Sequence, residues 1–224
     1  KGRTTYDSAA DVKHIVANHL ISLFQKHGLG QGPVLEIGVG SGYFTSLYAK
    51  KFPPNSLTLW DIAGASELPY EVVQADAESA LPAVNQTFSA VVSASTMQWF
   101  NSPAAFLIQL GRVLKPSGLA VLSTFGPDTF CELSAAGVIG LPYYSEQSLH
   151  RIIPSGLELL ELHTGLITKV FNEPIDVFRH LRATGVNARR SDRTLNEIIK
   201  AYPRRADGRC SLTYQPIYLI LRKI

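Results

Sequence analysis

The sequence predicts an α/β domain whose sheet is mostly parallel and covered by helices on both faces. Three observations carry this. Short apolar runs alternate with helical patterns from residue 33 to residue 125. The runs are continuously apolar, as strands buried on both faces require. A glycine-rich turn joins the first run to a helix. Of the 224 residues, 46% are hydrophobic and 17% charged, which excludes a disordered chain and supplies one generous core. Every apolar run breaks before the ~18 residues of a membrane helix. The longest candidate, 102–126, is interrupted by Arg112, Lys115 and Pro116. Residues Lys1 to Asp7 hold no apolar core of a signal peptide. Because the chain begins at Lys rather than Met, further native residues are expected before it. Cys131 and Cys210, alone and far apart, predict reduced thiols and a cytoplasmic protein. The absence of CxxC, HxH and HxxxH spacings predicts no metal site.

Taken in order, residues 8–27 read as a helix. Asp7 or Ser8 can cap it, Val12, Ile15, Val16, Leu20, Leu23 and Phe24 recur at helical spacing, and Gly28 ends it. Strands follow at 33–37, 56–61, 71–75 and 88–93, with a helix at 42–51 stopped by Pro53-Pro54. Pro103 opens a helix over 103–113. A turn at Lys115-Pro116-Ser117-Gly118 leads into a strand at 119–125. Beyond residue 126, helices at 128–137, 145–153, 174–184 and 191–201 alternate with strands near 157–164, 166–171 and 211–222. The whole chain, 1–224, reads as a single domain in which 126–155 and 172–210 form a helical subdomain covering the open end of the sheet.

The turn after the first strand carries the chemistry. Residues 34–45 read Val-Leu-Glu-Ile-Gly-Val-Gly-Ser-Gly-Tyr-Phe-Thr. Gly38, Gly40 and Gly42 let a ligand approach the main chain at the carboxyl ends of the strands, where open α/β sheets bind ligands. The spacing fits neither G-x-G-x-x-G, whose last position would be Tyr43, nor a P-loop, which needs Gly-Lys-Ser/Thr. What remains is E-x-G-x-G-x-G with Glu36 at the strand end. An acid there would repel a pyrophosphate and suit a cationic ligand. Asp61 ends the second strand, where a carboxylate can accept hydrogen bonds from ribose hydroxyls. Asp76 follows the third strand, with Ala77 beside it; each aspartate also suits a helix cap or a loop.

On Glu36-x-Gly38-x-Gly40-x-Gly42 with Asp61 and Asp76, the sequence resembles the S-adenosylmethionine-dependent methyltransferases. That resemblance implies a Rossmann-like sheet of seven mostly parallel strands with inserted lid helices. It implies S-adenosylmethionine as cofactor and S-adenosylhomocysteine as product. It places Glu36, Gly38, Gly40, Gly42, Asp61, Ile62, Asp76, Ala77 and Ser93 around that cofactor, with Asp76 at the adenine amino group. The fourth strand ends in Ser93-Ala94-Ser95-Thr96-Met97-Gln98-Trp99-Phe100. It lacks the Asn/Asp-Pro-Pro-aromatic motif that orients a flipped base, so a nucleic-acid substrate is not expected. It also lacks the paired glutamates of arginine methylation.

Within that superfamily, Gln98-Trp99, Tyr6-Asp7 and the run Leu122-Ser123-Thr124-Phe125-Gly126-Pro127-Asp128-Thr129-Phe130 resemble the malonyl-acyl-carrier-protein O-methyltransferases of biotin synthesis. Similarity continues through Leu181-Arg182-Ala183-Thr184-Gly185-Val186-Asn187 and Thr213-Tyr214-Gln215-Pro216-Ile217-Tyr218. Two departures stand out. The family often reads Ser-Asn-Leu-Ala where this chain has Ser93-Ala94-Ser95-Thr96. It also commonly carries a basic residue in the segment that here reads Leu141-Pro142-Tyr143-Tyr144, without charge. The resemblance implies methylation of the malonyl carboxylate on acyl carrier protein or coenzyme A. A carboxylate is ionised at neutral pH, so positioning rather than a general base carries the reaction. Gln98 and an arginine, Arg182 first and Arg179 second, are the expected acceptor-side residues, and Tyr6 is expected to fold over the cofactor and screen the site. Residues 179–209 hold nine Lys/Arg against three acids, a face that suits an acidic carrier. No membrane partner is expected. Methylation of another small acid or of a carbon nucleophile, and a non-catalytic binding module, remain the alternatives.

Overall fold

The computed structural model describes residues 11–28, 32–52, 56–64, 68–85, 87–185 and 191–224. Tyr6 and the arginines at 189 and 190 lie outside the described residues. The helices are α1 (Asp11–His27), α2 (Tyr43–Lys51), α3 (Ala77–Ala80), α4 (Pro103–Val113), α5 (Cys131–Ala135), α6 (Glu146–Arg151), α7 (Pro174–Ala183) and α8 (Leu195–Ala201). The strands are β1 (Pro33–Ile37), β2 (Ser56–Asp61), β3 (Val72–Gln74), β4 (Phe88–Ser93), β5 (Leu114–Phe125), β6 (Leu157–Thr164), β7 (Ile167–Phe171), β8 (Cys210–Tyr214) and β9 (Pro216–Lys223). Among the described residues no helix is long and apolar enough to cross a membrane.

The main sheet has seven strands in the order β3-β2-β1-β4-β5-β9-β6. The pairings from β3 to β5 are parallel, and β9 runs antiparallel between β5 and β6. Side chains alternate between two cores, as the pleat demands. Leu35, Ile37, Val91, Leu122 and Leu219 face one side, where Phe106, Leu107 and Leu110 of α4 cover them. Val34, Ala90, Val92, Val121 and Ile220 face the other, under Val16, Leu20 and Phe24 of α1 and Phe44 and Tyr48 of α2. Local signals set these helices. The Ser102 hydroxyl accepts from the Ala105 amide with Pro103 in the first turn of α4, and Thr194 with Glu197 forms a capping box on α8.

Two features differ from the sequence expectation. Lys115–Gly118 does not precede the strand but bulges within it: Phe88 pairs with Leu114 and Ala90 with Leu119, and Ser117 takes φ +62°. The run 211–222 splits at Gln215 into β8 and β9, which join different sheets. The reason is local. The Gln215 carbonyl accepts from the Gly126 amide, and its own amide donates to Thr129 Oγ1 at 3.1 Å, so its backbone serves the loop after β5. β7 pairs only with β8, as a separate two-stranded sheet. That small sheet shares a third apolar cluster with α5, α7 and α8, built on Phe130, Leu133, Val177, Leu181, Ile198 and Leu212. The cluster sits beyond the carboxyl end of β5, where it walls the site.

Candidate functional site

The glycine turn is crowded at Gly38 and Gly42 and demands a left-handed backbone at all three glycines. Gly38 has φ +79°, and a Cβ there would fall 2.0 Å from Thr96 Oγ1. Gly40 has φ +57° with open space where its Cβ would be, so only its backbone conformation demands glycine. Its amide donates to Asp61 Oδ2 at 2.8 Å, while the Ala63 amide donates to Asp61 Oδ1 at 2.8 Å. The β2 carboxylate therefore fixes the turn of β1 and its own following loop.

A cavity of about 380 Å³ opens over this turn. Gly38, Gly40, Asp61, Ile62, Asp76 and Ala77, six of the nine residues expected around a cofactor, line it. Ile62 is 71% exposed, an apolar side chain left uncovered at the rim. Asp76 both lines the cavity and caps α3, its Oδ1 accepting from the Glu78 amide at 3.0 Å. Glu78 joins the lining and is held by Asn101 and the Ser102 amide, which accounts for its position. Three carboxylates over an open backbone turn suit a ligand that offers hydroxyl and amino donors and carries positive charge.

Three expected residues do not line it. Gly42 caps α2 with φ +81°, with Leu68 where a Cβ would stand. Ser93 is fully buried and donates to the Ile37 carbonyl at 2.8 Å, tying β4 to β1 beneath the turn. Glu36 is 1% exposed and faces α2, because it shares the side of β1 that Val34 gives to the α1–α2 core. Burial pushes its carboxyl up to about 8, aided by the Asp61 charge. The hydroxyls of Thr45 and Tyr48 face it and pull the other way, yet neither hydroxyl nor Glu36 Oε2 reaches hydrogen-bonding geometry. Direct contact between Glu36 and a ligand in the cavity is excluded by this burial.

A second cavity, about 250 Å³, adjoins the first. Phe125, Thr129 and Phe130 from the run singled out in the sequence line it, with Leu133, Tyr143, Leu181 and Thr184. Gln98 lines it as well. Its Nε2 donates to the Ser95 carbonyl at 2.6 Å and its Oε1 accepts from Thr124 Oγ1 at 3.3 Å, which fixes the amide. Two lining residues hold left-handed backbones without being glycine, Ser95 at φ +55° and Phe130 at φ +61°. The Ser95 amide is anchored by the carbonyl and hydroxyl of Ser123, and the Phe130 amide by the Thr213 carbonyl.

The expected arginines are not here. Arg179 and Arg182 are exposed on α7, whose buried stripe is Val177, His180 and Leu181. Neither lines either cavity, and Arg179 pairs with Asp176 at 2.7 Å. Much of the basic stretch is similarly paired, Arg204 with Glu173 and Arg209 with Asp207. What the sequence reading missed is Lys13 of α1, which together with Ser95 and Trp99 lines both cavities. Its signal was positional: Lys13 precedes Ala17, Leu20 and Phe24 by 4, 7 and 11 residues, a charge set on the buried stripe of α1.

The family described as methyltransferase domain matches residues 35–122, the segment from β1 through β5. The chain is 31% identical to the malonyl-[acyl-carrier protein] O-methyltransferase of Chlorobium phaeovibrioides, over 98% of this chain and 92% of that protein. It is equally 31% identical to that of Haemophilus influenzae, over 99% and 91%. Among solved structures, the YcgJ protein of Bacillus subtilis superposes with a TM-score of 0.62 at 16% identity, covering 92% of this chain and 98% of that one. The N-methyltransferase NodS of Bradyrhizobium japonicum, solved with S-adenosyl-L-homocysteine, superposes with 0.54 at 14% identity and 98% coverage of both. These two likenesses bear on the fold. With 31% identity over nearly the whole length of both chains, the chain belongs to the malonyl-[acyl-carrier protein] O-methyltransferase family, within the Rossmann-like methyltransferases.

Proposed function

We propose that this chain transfers a methyl group from S-adenosylmethionine to the free carboxylate of a malonyl thioester on acyl carrier protein, giving the malonyl methyl ester for biotin synthesis and releasing S-adenosylhomocysteine. The observation that carries this reading is the common wall of the two cavities at Lys13, Ser95 and Trp99. It sets a carboxylate-lined site against a largely apolar one.

When bound, S-adenosylmethionine supplies a methyl activated by its sulfonium. The residues of the first cavity fit that group. Asp61 keeps lone pairs beyond the two amides it accepts from, and these suit the ribose hydroxyls. Asp76 and Ala77, which line this cavity, would meet the adenine amino group, and Ile62 would offer an apolar surface for the ring. The backbone of Gly38 to Gly40 would receive the amino-acid end.

The second cavity would hold the malonyl group. Phe125, Phe130 and Leu181 exclude water, and the fixed Gln98 amide offers a polar contact to orient the acceptor. With both groups bound, a carboxylate oxygen would form the new bond to the methyl carbon as the carbon–sulfur electron pair went to sulfur. No proton moves, so no general base is required, and alignment with exclusion of water is the protein's part. Segments 126–155 and 172–210 would cover the acceptor. An acidic carrier would meet the exposed basic residues Arg182 and Lys200. We place the reaction in the cytoplasm, where Cys131 and Cys210 stay reduced.

The test is methyl transfer from labelled S-adenosylmethionine to malonyl-carrier protein, acetyl-carrier protein and malonyl-coenzyme A. A base-labile methyl ester should form on the malonyl carrier, more slowly on malonyl-coenzyme A, and not on the acetyl carrier. Cofactor binding without transfer to any malonyl thioester would refute the proposal.

A further inference from the structure

We infer that Lys13 is the cation that holds the acceptor carboxylate at the meeting point of the two cavities, a role for which the exposed arginines of α7 are misplaced. This rests on the proposed malonyl reading and names the residue that selects for it.

The argument is electrostatic. A carboxylate entering a largely apolar cavity gives up its hydration, and that cost is prohibitive without a charged partner. Among the described residues lining the second cavity, Lys13 alone carries a charged side chain. It also lines the first cavity, so it stands at the wall across which a methyl would pass. The residues that place it are packed in the core. One turn further along α1, Ala17 lines the first cavity, and Leu20 and Phe24 are fully buried in the core. The Lys13 ammonium is already partly desolvated, and burial lowers it to about 8. Among the described residues, the other titratable groups lining the two cavities are Asp61, Asp76, Glu78 and Tyr43 on the first and Tyr143 on the second, and His14, next to Lys13 in sequence, stacks on Tyr43.

The choice of lysine over arginine has a consequence. A compact ammonium can grip one carboxylate oxygen and leave the other free to react, whereas a guanidinium fork binds both. Lys13 would thus give selectivity for a malonyl over an acetyl group without blocking the nucleophile.

The experiment compares the unaltered enzyme with Lys13→Met and Lys13→Arg, measuring KM and kcat for malonyl-carrier protein and calorimetric affinity for S-adenosylhomocysteine. Lys13→Met should raise KM by about tenfold or more, the size expected for a lost charge-assisted contact. Its affinity for S-adenosylhomocysteine should stay within about twofold, a change below 0.5 kcal/mol. That retained affinity also reports a folded site. Lys13→Arg should recover most of the KM with a lower kcat. An unchanged KM in Lys13→Met, or a loss of S-adenosylhomocysteine affinity that parallels the rise in KM, overturns the assignment. If the unaltered enzyme methylates no malonyl thioester, the malonyl reading itself fails and the Lys13 assignment falls with it. If the unaltered enzyme is active and Lys13→Met keeps its KM, only the Lys13 assignment falls.

Discussion

The Gly40 amide donates to Asp61 Oδ2 at 2.8 Å, and this one bond couples the turn after β1 to the end of β2. A residue assigned to ribose binding therefore also shapes the backbone that faces the cofactor. Asp61→Ala should lose both roles and weaken S-adenosylhomocysteine binding by about 10- to 100-fold, or roughly 1.4–2.8 kcal/mol. Asp61→Asn keeps one carbonyl oxygen for one of the two amides, and should fall between the parent and the alanine variant. Calorimetric titration decides this; equal affinity in all three proteins would remove Asp61 from the ribose site.

Gly38 meets Thr96 across the mouth of β4, and the three atoms nearest to an added Cβ all belong to the Thr96 side chain. Gly38→Ala should destabilise the protein by about 2 kcal/mol or more, combining overlap with a left-handed backbone. Gly40→Ala carries only the backbone penalty, about 1 kcal/mol. Because the overlap is with a side chain, Thr96→Ala should recover part of the Gly38→Ala loss and none of the Gly40→Ala loss. Chemical denaturation of the singles and both doubles measures the coupling. Additive behaviour of the Gly38–Thr96 pair would show that the turn relaxes away from β4.

Strand ends were readable from sequence because a continuous apolar run must stop where the sheet stops. β1, β2, β4, β6 and α4 occupy the expected bounds, and Asp61 and Asp76 follow strands into the cavity. The sheet's far edge was not readable, since an apolar pattern does not say which sheet a strand joins. The contacts of Gln215 with Gly126, Asp128 and Thr129 mark the break between β8 and β9. The acceptor arginines failed for a similar reason. A basic residue on a helix is assigned to a site only by knowing which face is buried, and α7 buries Val177, His180 and Leu181 instead. Lys13 sat in plain sight on the buried stripe of α1, but composition treats a lysine as surface.

Glu36 gives a prediction about pH. Burial holds its carboxyl at about 8 in the folded protein against an ordinary value of 4.5, so the folded state keeps a proton that the unfolded chain releases. Its contribution to stability is full below 4.5 and fades as pH rises through 8. Glu36→Gln removes the titration with little change of shape. Relative to the parent, the variant should gain stability steadily from pH 5 to pH 8.5 in denaturant melts. A constant difference between the two across that range would mean that Glu36 ionises as readily in the folded protein as in the unfolded one.

His19 on α1 and His163 on β6 meet with their Nε2 atoms 2.7 Å apart, a distance that one shared proton satisfies and two protons do not. The Tyr218 ring packs against both. Burial lowers the His19 pKa first, the His163 charge adds to it, and Glu161 opposes both. Glu161 is itself held down by hydrogen bonds from Lys26 and His27 and belongs to the acid limb below 4.5. Since His19 is depressed below 6.5, the unfolded chain takes the proton first. This contribution to stability is present above 6.5 and is lost as pH falls through the lower folded value. The parent should therefore lose stability between pH 6.5 and 5, and His19→Gln should flatten that segment while leaving the steeper loss below 4.5. Identical melts for the two proteins between pH 6.5 and 5 would show that the histidine pair does not clamp α1 to β6.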